Sequence, residues 1–504
     1  MKDQWVSLFH NHSLNEIKKE AASRFDGLGI YPDSVFQKNG TFFFMARHNG
    51  QKTLVLFGPG ECFGAFEGEE QGPFKICGLT HDHCERMRTL FEFMNPVAIG
   101  GQKFSIGLGD RLGLATSGHI RAIAGRPVFP VLAQQSMREL GMTGRTYDDV
   151  LDDVSWAVFQ EGYVNGFGAD ADHLKEKKQV EMALKRDYSM ITLDCSDYIE
   201  NQYFSMQPHE LREGFEQIPA AKKQALRECY LSAGHPVDAD TSIRFSEQEI
   251  YKCALVYGRA LNFIEDVFHK VIARHKRAVD FEISIDETTI PTSGAAHFFI
   301  ASELKRRAVE VRSVAPRFCG EFQKGIDYIG DVGVFEQEFI VHAKIAAYFG
   351  HRISVHSGSD KFAIFPAVSK HTGQRVHVKT AGTSWLEAVR LIAAKNPDLY
   401  RRMHRFALAH LDEAKQYYHI SADPEKTAPL DSVSDGSLPA FMNEDNARQI
   451  LHITYGLILQ AKSPDHQPLF RDEIYTLLNK YESEYADALY KHIGRHLHAL
   501  AVTK

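Results

Sequence analysis

The sequence has no excess of positive charge: 58 Lys and Arg stand against 65 Asp and Glu, a formal net charge of −7. A global basic field that would draw the chain to nucleic acid is thereby excluded. Local runs such as Lys175-Glu176-Lys177-Lys178 and Lys305-Arg306-Arg307 read as solvated helix faces. No apolar run approaches the ~20 residues that span a bilayer, and Met1 to Glu20 holds no apolar leader segment. The expectation is a cytoplasmic protein without a membrane or nucleic-acid partner, leaving room for a homo-oligomer. Cysteine is sparse and irregular: Cys62, Cys77, Cys84, Cys195, Cys229, Cys253 and Cys319 are odd in number and form no C-x-x-C pair. Free thiols in a reducing compartment follow. His81-Asp82-His83-Cys84 could be read as a metal cluster, but it also opens a helical pattern running through Met87 and Phe91. Internal repeats and low-complexity segments are missing as well.

What is present is ordinary globular material. Of 504 residues 44% are hydrophobic, enough for a large core. Thr41 to Ala46 and Thr53 to Phe57 are β-prone runs separated by His48-Asn49-Gly50, a hairpin signal. Eight strand candidates follow: 104–108, 127–132, 163–167, 190–193, 279–285, 311–315, 352–356 and 376–380. Helical patterns separate most of them. Phe335, Phe339, Ala343 and Ala346 form one, closed by Gly350, and Ser384-Trp385-Leu386-Glu387 has the capping-box form. Alternating β and α elements imply a mostly parallel sheet, and eight strands suggest its closed form, with an open doubly wound sheet as the rival. The predicted class is therefore α/β, a (β/α)₈ TIM-type barrel over 96–400. A small α/β cap over 1–95 precedes it, and a helical extension over 401–504 packs outside it. The gap between strands four and five predicts a helical insertion near 196–278. Ala422 to Pro439, rich in breakers, reads as a loop.

Several strands alternate. Phe281, Ile283 and Ile285 oppose Glu282, Ser284 and Asp286; Ile353 and Val355 oppose Ser354 and His356; Val376 and Val378 oppose His377 and Lys379. Side chains on a strand alternate with period two, and the helix-facing side must be apolar. The polar residues therefore line the lumen, where an unpartnered carboxylate is costly. A wet, functional interior near the strands' C-terminal ends follows, which is where barrel enzymes keep their sites.

The segment Gly166-Phe167-Gly168-Ala169-Asp170-Ala171-Asp172-His173 reads as a loop after the third strand. Its Asp-His pair suits a metal-binding imidazole beside a proton-moving carboxylate, or an aspartate that caps the following helix. His356 ends the seventh strand on the lumen side, as a metal ligand or a hydrogen-bonded core histidine. Ser357-Gly358-Ser359 offers backbone N–H groups to an anionic oxygen. Gln323, after the sixth strand, is a weak ligand signal by itself. Arg111, Arg317 and Lys379 are candidates for a substrate carboxylate, or for ion pairs inside the barrel.

The stretches Gly107 to Gly113, Phe281 to Thr289, Ala315 to Asp331, His351 to Pro366 and Lys379 to Arg390 together resemble the tagaturonate/fructuronate epimerase family. The resemblance runs through roughly 100 to 400. It implies an isomerase that interconverts two sugar acids with a divalent metal, Zn, Mn, Ni or Co. It also implies Asp172 as proton acceptor and His173, Gln323 and His356 as metal ligands. A barrel acid serves as proton donor, here placed on Glu282 with Asp286 and Glu287 as close rivals. The Asp-His pair is also similar to that of class II aldolases, which suggests a retro-aldol route, with direct proton exchange as the other. An aldolase that releases its fragments and a non-catalytic sugar-acid sensor are the alternative functions.

Overall fold

The computed structural model describes residues 9, 12–23, 29–58, 60–101, 104–231 and 233–503. Residues 1–8, part of the segment read above for a leader, lie outside them. Eight parallel strands close into a barrel in sequential order. They are β1 Phe104–Leu108, β2 Phe129–Ser136, β3 Gly168–Leu174 and β4 Met190–Asp194, then β5 Asp280–Ile285, β6 Ser313–Pro316, β7 Arg352–Val355 and β8 Val376–Thr380.

The alternation read from the sequence sets the layers. Phe281, Ile283 and Ile285 pack outward among the surrounding helices. Glu282 pairs in register with Thr192 and Ser313, and His377 with Ser105 and Ser354, all buried inside. Barrel interiors are usually filled by branched aliphatic side chains. This one is filled by charged and hydroxyl groups, so its packing energy comes from the outer shell.

Before the barrel stands an antiparallel sheet built on the hairpin of Thr41–His48 and Gln51–Phe57. Asn49 and Gly50 both have positive φ, as the expected tight turn requires. Phe43, Leu54 and Met87 pack with Trp156 and Phe159 of helix Tyr147–Gln160, which joins this sheet to the barrel. His81 to Cys84 open the helix His81–Leu90 behind the N-cap Thr80, and His83 is bonded to Gly78 O and Glu67 N, so they form no metal cluster. Between β4 and β5 come the helices Pro208–Glu216, Ala220–Tyr230 and Glu247–Lys270. The seven cysteines are unpaired. Among the described residues, no helix is long and apolar enough to cross a membrane.

Three local expectations fail. The third strand is Gly168–Leu174, and 163–167 is the irregular segment leading into it. Aromatic and branched residues favoured the earlier segment, but the strand is built from GADADHL, and at its first residue a Cβ on Gly168 would sit a tight 3.1 Å from Val131 Cγ2. The Ser384–Glu387 capping box does not form, because the helix already begins at Gly382. Ser384 instead bonds Gly109 O and His119. Finally, 422–439 is not simple loop but carries three short 3₁₀ segments, Pro424–Lys426, Leu430–Ser432 and Asp435–Asn443.

The last helix, Glu482–Ala499, is clasped to the barrel by charge. His492 Nε2 lies 2.5 Å from Asp360 Oδ1 and its Nδ1 3.1 Å from Glu387 Oε1. Arg448 pairs with the other oxygen of Asp360, and His496 Nε2 accepts the Asp360 N–H while its Nδ1 donates to His492 O. These bonds and ion pairs tie the last helix to Asp360 and Glu387 as a clasp. Burial opposes the charge on His492, but the carboxylates raise its pKa to about 9. A folded value above the ordinary ~6.5 stabilises fully below about pH 6.5 and is lost as pH rises through about 9. The unfolding free energy of the wild type is expected to drop by about 3 kcal/mol across that window. His492→Gln should lack this slope. Parallel denaturant titrations of the two proteins at each pH check it, and coincident slopes would remove the assignment.

Candidate active site

A cavity of about 470 Å³ opens at the C-terminal mouth of the barrel, a volume suited to a small ligand. Asp172, His173, Asp286, His356 and Lys379 all line it. On a regular strand, Asp172 and His173 would face opposite sides. The pairing of β3 with β4 shifts register after Ala171, and His173 has φ 54°, the left-handed region. Such a bulge re-aims a side chain. It brings both residues to the cavity, and it also ends the aspartate-as-cap reading, since the following helix is Lys177–Lys185 behind Glu176.

The rings of His173 and His356 lie 4.9 Å apart between centroids. A carboxylate holds each ring from behind. Asp172 Oδ1 is 2.8 Å from His173 Nδ1, and Glu282 Oε1 is 2.8 Å from His356 Nε2. His173 Nε2 and His356 Nδ1 are left for another partner. His356 Nδ1 is buried and lies 3.2 Å from Asp286 Oδ2 without hydrogen-bond geometry. One donor atom each from His173, Asp286 and His356 falls within 4.8 Å of the others, as a shared cation requires. Carboxylate-held imidazoles of this kind orient metal ligands. Burial opposes protonation of both rings, yet Asp172 raises His173 to about 10, and Asp286 and Glu282 raise His356. A field that favours a proton here favours any cation.

Beneath the rings lies Lys379, with Nζ 2.8 Å from Asp170, 2.6 Å from Asp172 and 2.9 Å from Glu282. Burial pushes Asp170 up to about 6. For Asp172 burial is outweighed by His173 and Lys379, which hold its carboxyl well below the usual range. Glu282 is fully buried and does not line the cavity. Besides Lys379 and His356 it takes hydrogen bonds from Ser313 and Thr192. Lys379 and His356 overcome its burial and keep it ionised.

The remaining sequence candidates divide. Gln323 lines the cavity, but its Oε1 already accepts from Ser421 N at 2.8 Å and Gln449 Nε2 at 2.7 Å. Arg317 faces a neighbouring groove and donates to Thr288 O, so it is no part of this cavity. Lys379 serves the ion-pair reading and not the substrate. Within Ser357–Ser359, the Gly358 N–H already donates to Lys379 O and is not open to an anion. Lys175, read as a solvated face, lines the cavity and pairs with Asp197. Arg111 lines the cavity with its Nη1 unpartnered. Asp286 was weighed only as an acid, although the alternation of β5 already aimed it inward. Tyr418 and His452 also line the cavity. No local pattern marks them, because they arrive from the C-terminal extension.

Comparison with known proteins identifies the family. A curated Thermotoga maritima protein named tagaturonate/fructuronate epimerase is 40% identical over 479 residues, covering 94% of this chain and 97% of its own. The glycerol-complexed crystal structure of fructuronate-tagaturonate epimerase UxaE from Cohnella laeviribosi superposes with a TM-score of 0.93 at 47% identity, covering 97% of this chain and 99% of that one. Its native form gives the same score and identity, with 96% and 100% covered. Residues 31–500, which take in the entire barrel and the extension that closes its mouth, match the family described as tagaturonate epimerase, and the chain belongs to that family.

Proposed function

We propose that this protein is a cytoplasmic isomerase that interconverts D-tagaturonate and D-fructuronate with a divalent cation, by a retro-aldol and aldol sequence. The carrying observation is the convergence of His173, His356 and Asp286 beside the ionised Asp172 in one cavity. Two imidazoles and a carboxylate suit a first-row ion such as Zn, Mn, Ni or Co. Such an ion, when bound, supplies Lewis-acid stabilisation to oxygens that gain negative charge.

The two sugar acids differ at a carbinol carbon β to the ketone. Its C–H is not acidified by enolate resonance, but its hydroxyl makes the unit a β-hydroxyketone. Both short contacts of Asp172 fall on Oδ1, so Oδ2 is placed to accept the hydroxyl proton. The O–H electron pair then forms a C=O bond while the bond from the carbinol carbon to the α carbon breaks. Its electrons pass to the ketone, giving an enediolate and an aldehyde. Half a turn of the aldehyde exposes its other face. The carbon–carbon bond re-forms, and Asp172 returns the proton to the new alkoxide. Atoms and electrons balance without a redox partner.

Glu282, implied as proton donor, stays ionised beneath His356 and acts by positioning it. Its rivals for the donor role, Asp286 and Glu287, both line the cavity. Arg111 offers Nη1 to the carboxylate.

NMR of D-tagaturonate in D₂O tests the reading. The cation-loaded enzyme should produce fructuronate with no deuterium on the inverted carbon, and chelation should abolish the conversion until cation is restored. Deuterium on that carbon would replace the retro-aldol route by direct exchange. Accumulating three-carbon fragments would identify an aldolase, and no conversion with any cation would end the assignment.

A further inference from the structure

Arg111 and His452 both line the cavity, and each keeps one buried donor without an acceptor, Arg111 Nη1 and His452 Nδ1. Arg111 is 2% exposed and His452 1%. The guanidinium is immobile: Nε and Nη2 each lie 3.2 Å from Glu139 Oε1, and its face stacks 3.7 Å from the Tyr455 ring centre. Arg111 Nη2 also meets His452 Nε2 at 3.3 Å. A guanidinium only donates, so Nε2 is the acceptor. Burial, together with the charges of Arg111, Lys324 and Arg448, keeps the ring neutral. Its single proton therefore sits on Nδ1, a buried atom with no acceptor.

The helix Gly382–Lys395 starts at the same place. Ala381 and Gly382 line the cavity, and the N-cap Ala381 makes no side-chain cap. A Cβ on Gly382 would collide with His452 Cε1, so the ring rests directly on the first turn. The positive end of a helix adds to these two donors. An unsatisfied buried donor is costly, and a group with two anionic oxygens would satisfy both.

We propose that His452, carried in by the C-terminal extension, pairs with Arg111 to seat the carboxylate of the substrate, so that the extension selects sugar acids over neutral ketoses. This rests on the reaction proposed above.

The test compares His452→Phe, which keeps a ring but no donor, with His452→Gln, which keeps an N–H. Both are measured cation-loaded, by calorimetry and kinetics, against D-tagaturonate and against D-tagatose, which bears CH₂OH in place of the carboxylate. His452→Phe should weaken uronate binding and raise its KM roughly 10-fold or more, with cation content and tagatose affinity unchanged, and His452→Gln should recover much of the loss. Unchanged uronate affinity, or equal loss for both ligands, overturns the proposal. Wild-type crystals soaked with tagaturonate give a reading independent of variant folding. A carboxylate oxygen within about 3.2 Å of His452 Nδ1 supports the seat, and a carboxylate bound elsewhere overturns it. A wild type that binds the uronate in this seat without converting it would contradict the reaction and leave the seat standing.

Discussion

Asp172→Asn is expected to lower kcat by about 10²–10⁴-fold, the usual contribution of a general acid–base group, with saturating cation still bound. The amide keeps an oxygen for His173 Nδ1 and Lys379 Nζ, the two contacts that hold Oδ1 at 2.8 and 2.6 Å. What disappears is the ability to take a proton at Oδ2, the oxygen that makes neither contact. A purely structural aspartate would behave differently: a lost helix cap costs only ~1 kcal/mol of stability and no chemistry, and the helix after β3 is capped by Glu176 in any case. His173→Ala provides the contrast, since it should lose cation affinity first and turnover as a consequence. The measurement pairs metal content with kcat for each variant at saturating cation. Near-native turnover in a metal-replete Asp172→Asn protein would remove Asp172 as the proton acceptor.

The second large effect is on stability. Lys379→Met should destabilise the protein by about 3–5 kcal/mol, because it strands buried carboxylates without their cation. Lys379 is 4% exposed, and its ammonium lies within 3 Å of Asp170, Asp172 and Glu282 together. A surface ion pair would be worth far less. Adding Asp170→Asn to Lys379→Met should recover part of the loss, since it removes one uncompensated charge at a site that does not line the cavity. Denaturant unfolding of the single and double variants gives the comparison. A Lys379→Met protein within about 1 kcal/mol of wild type would show that the network is not held by this charge.

Much of the fold was legible because barrel strands carry two signals at once. On β5, β7 and β8 the apolar residues repeat with period two, and the polar ones that alternate with them end at a common mouth. That pattern placed Glu282, Asp286, His356 and Lys379 inside before any contact was known. β3 escaped because it lacks the signal. Gly168, Ala169 and Ala171 have little strand propensity, and the strand forms through its pairing with β2 and β4, with Asp170 meeting Lys379 across the lumen. The bulge at His173 was equally invisible: a left-handed backbone at a histidine has no local sequence signature.

By itself, then, the sequence determined the class of the molecule: a closed parallel barrel, a polar interior, an Asp-His pair at its mouth and a resemblance specific enough to carry a substrate class. Periodicity is local, so it survives in a string of letters. The tertiary structure alone decided the partners. It set Asp286 beside the two histidines, committed Gln323 to Ser421 and Gln449, turned Lys379 from a substrate candidate into a counter-ion, and brought His452 against Gly382 from 70 residues away. A buried charge takes its role from whichever opposite charge or open donor lies within a few ångströms, and that neighbour is chosen by barrel closure and helix packing, which no local pattern records.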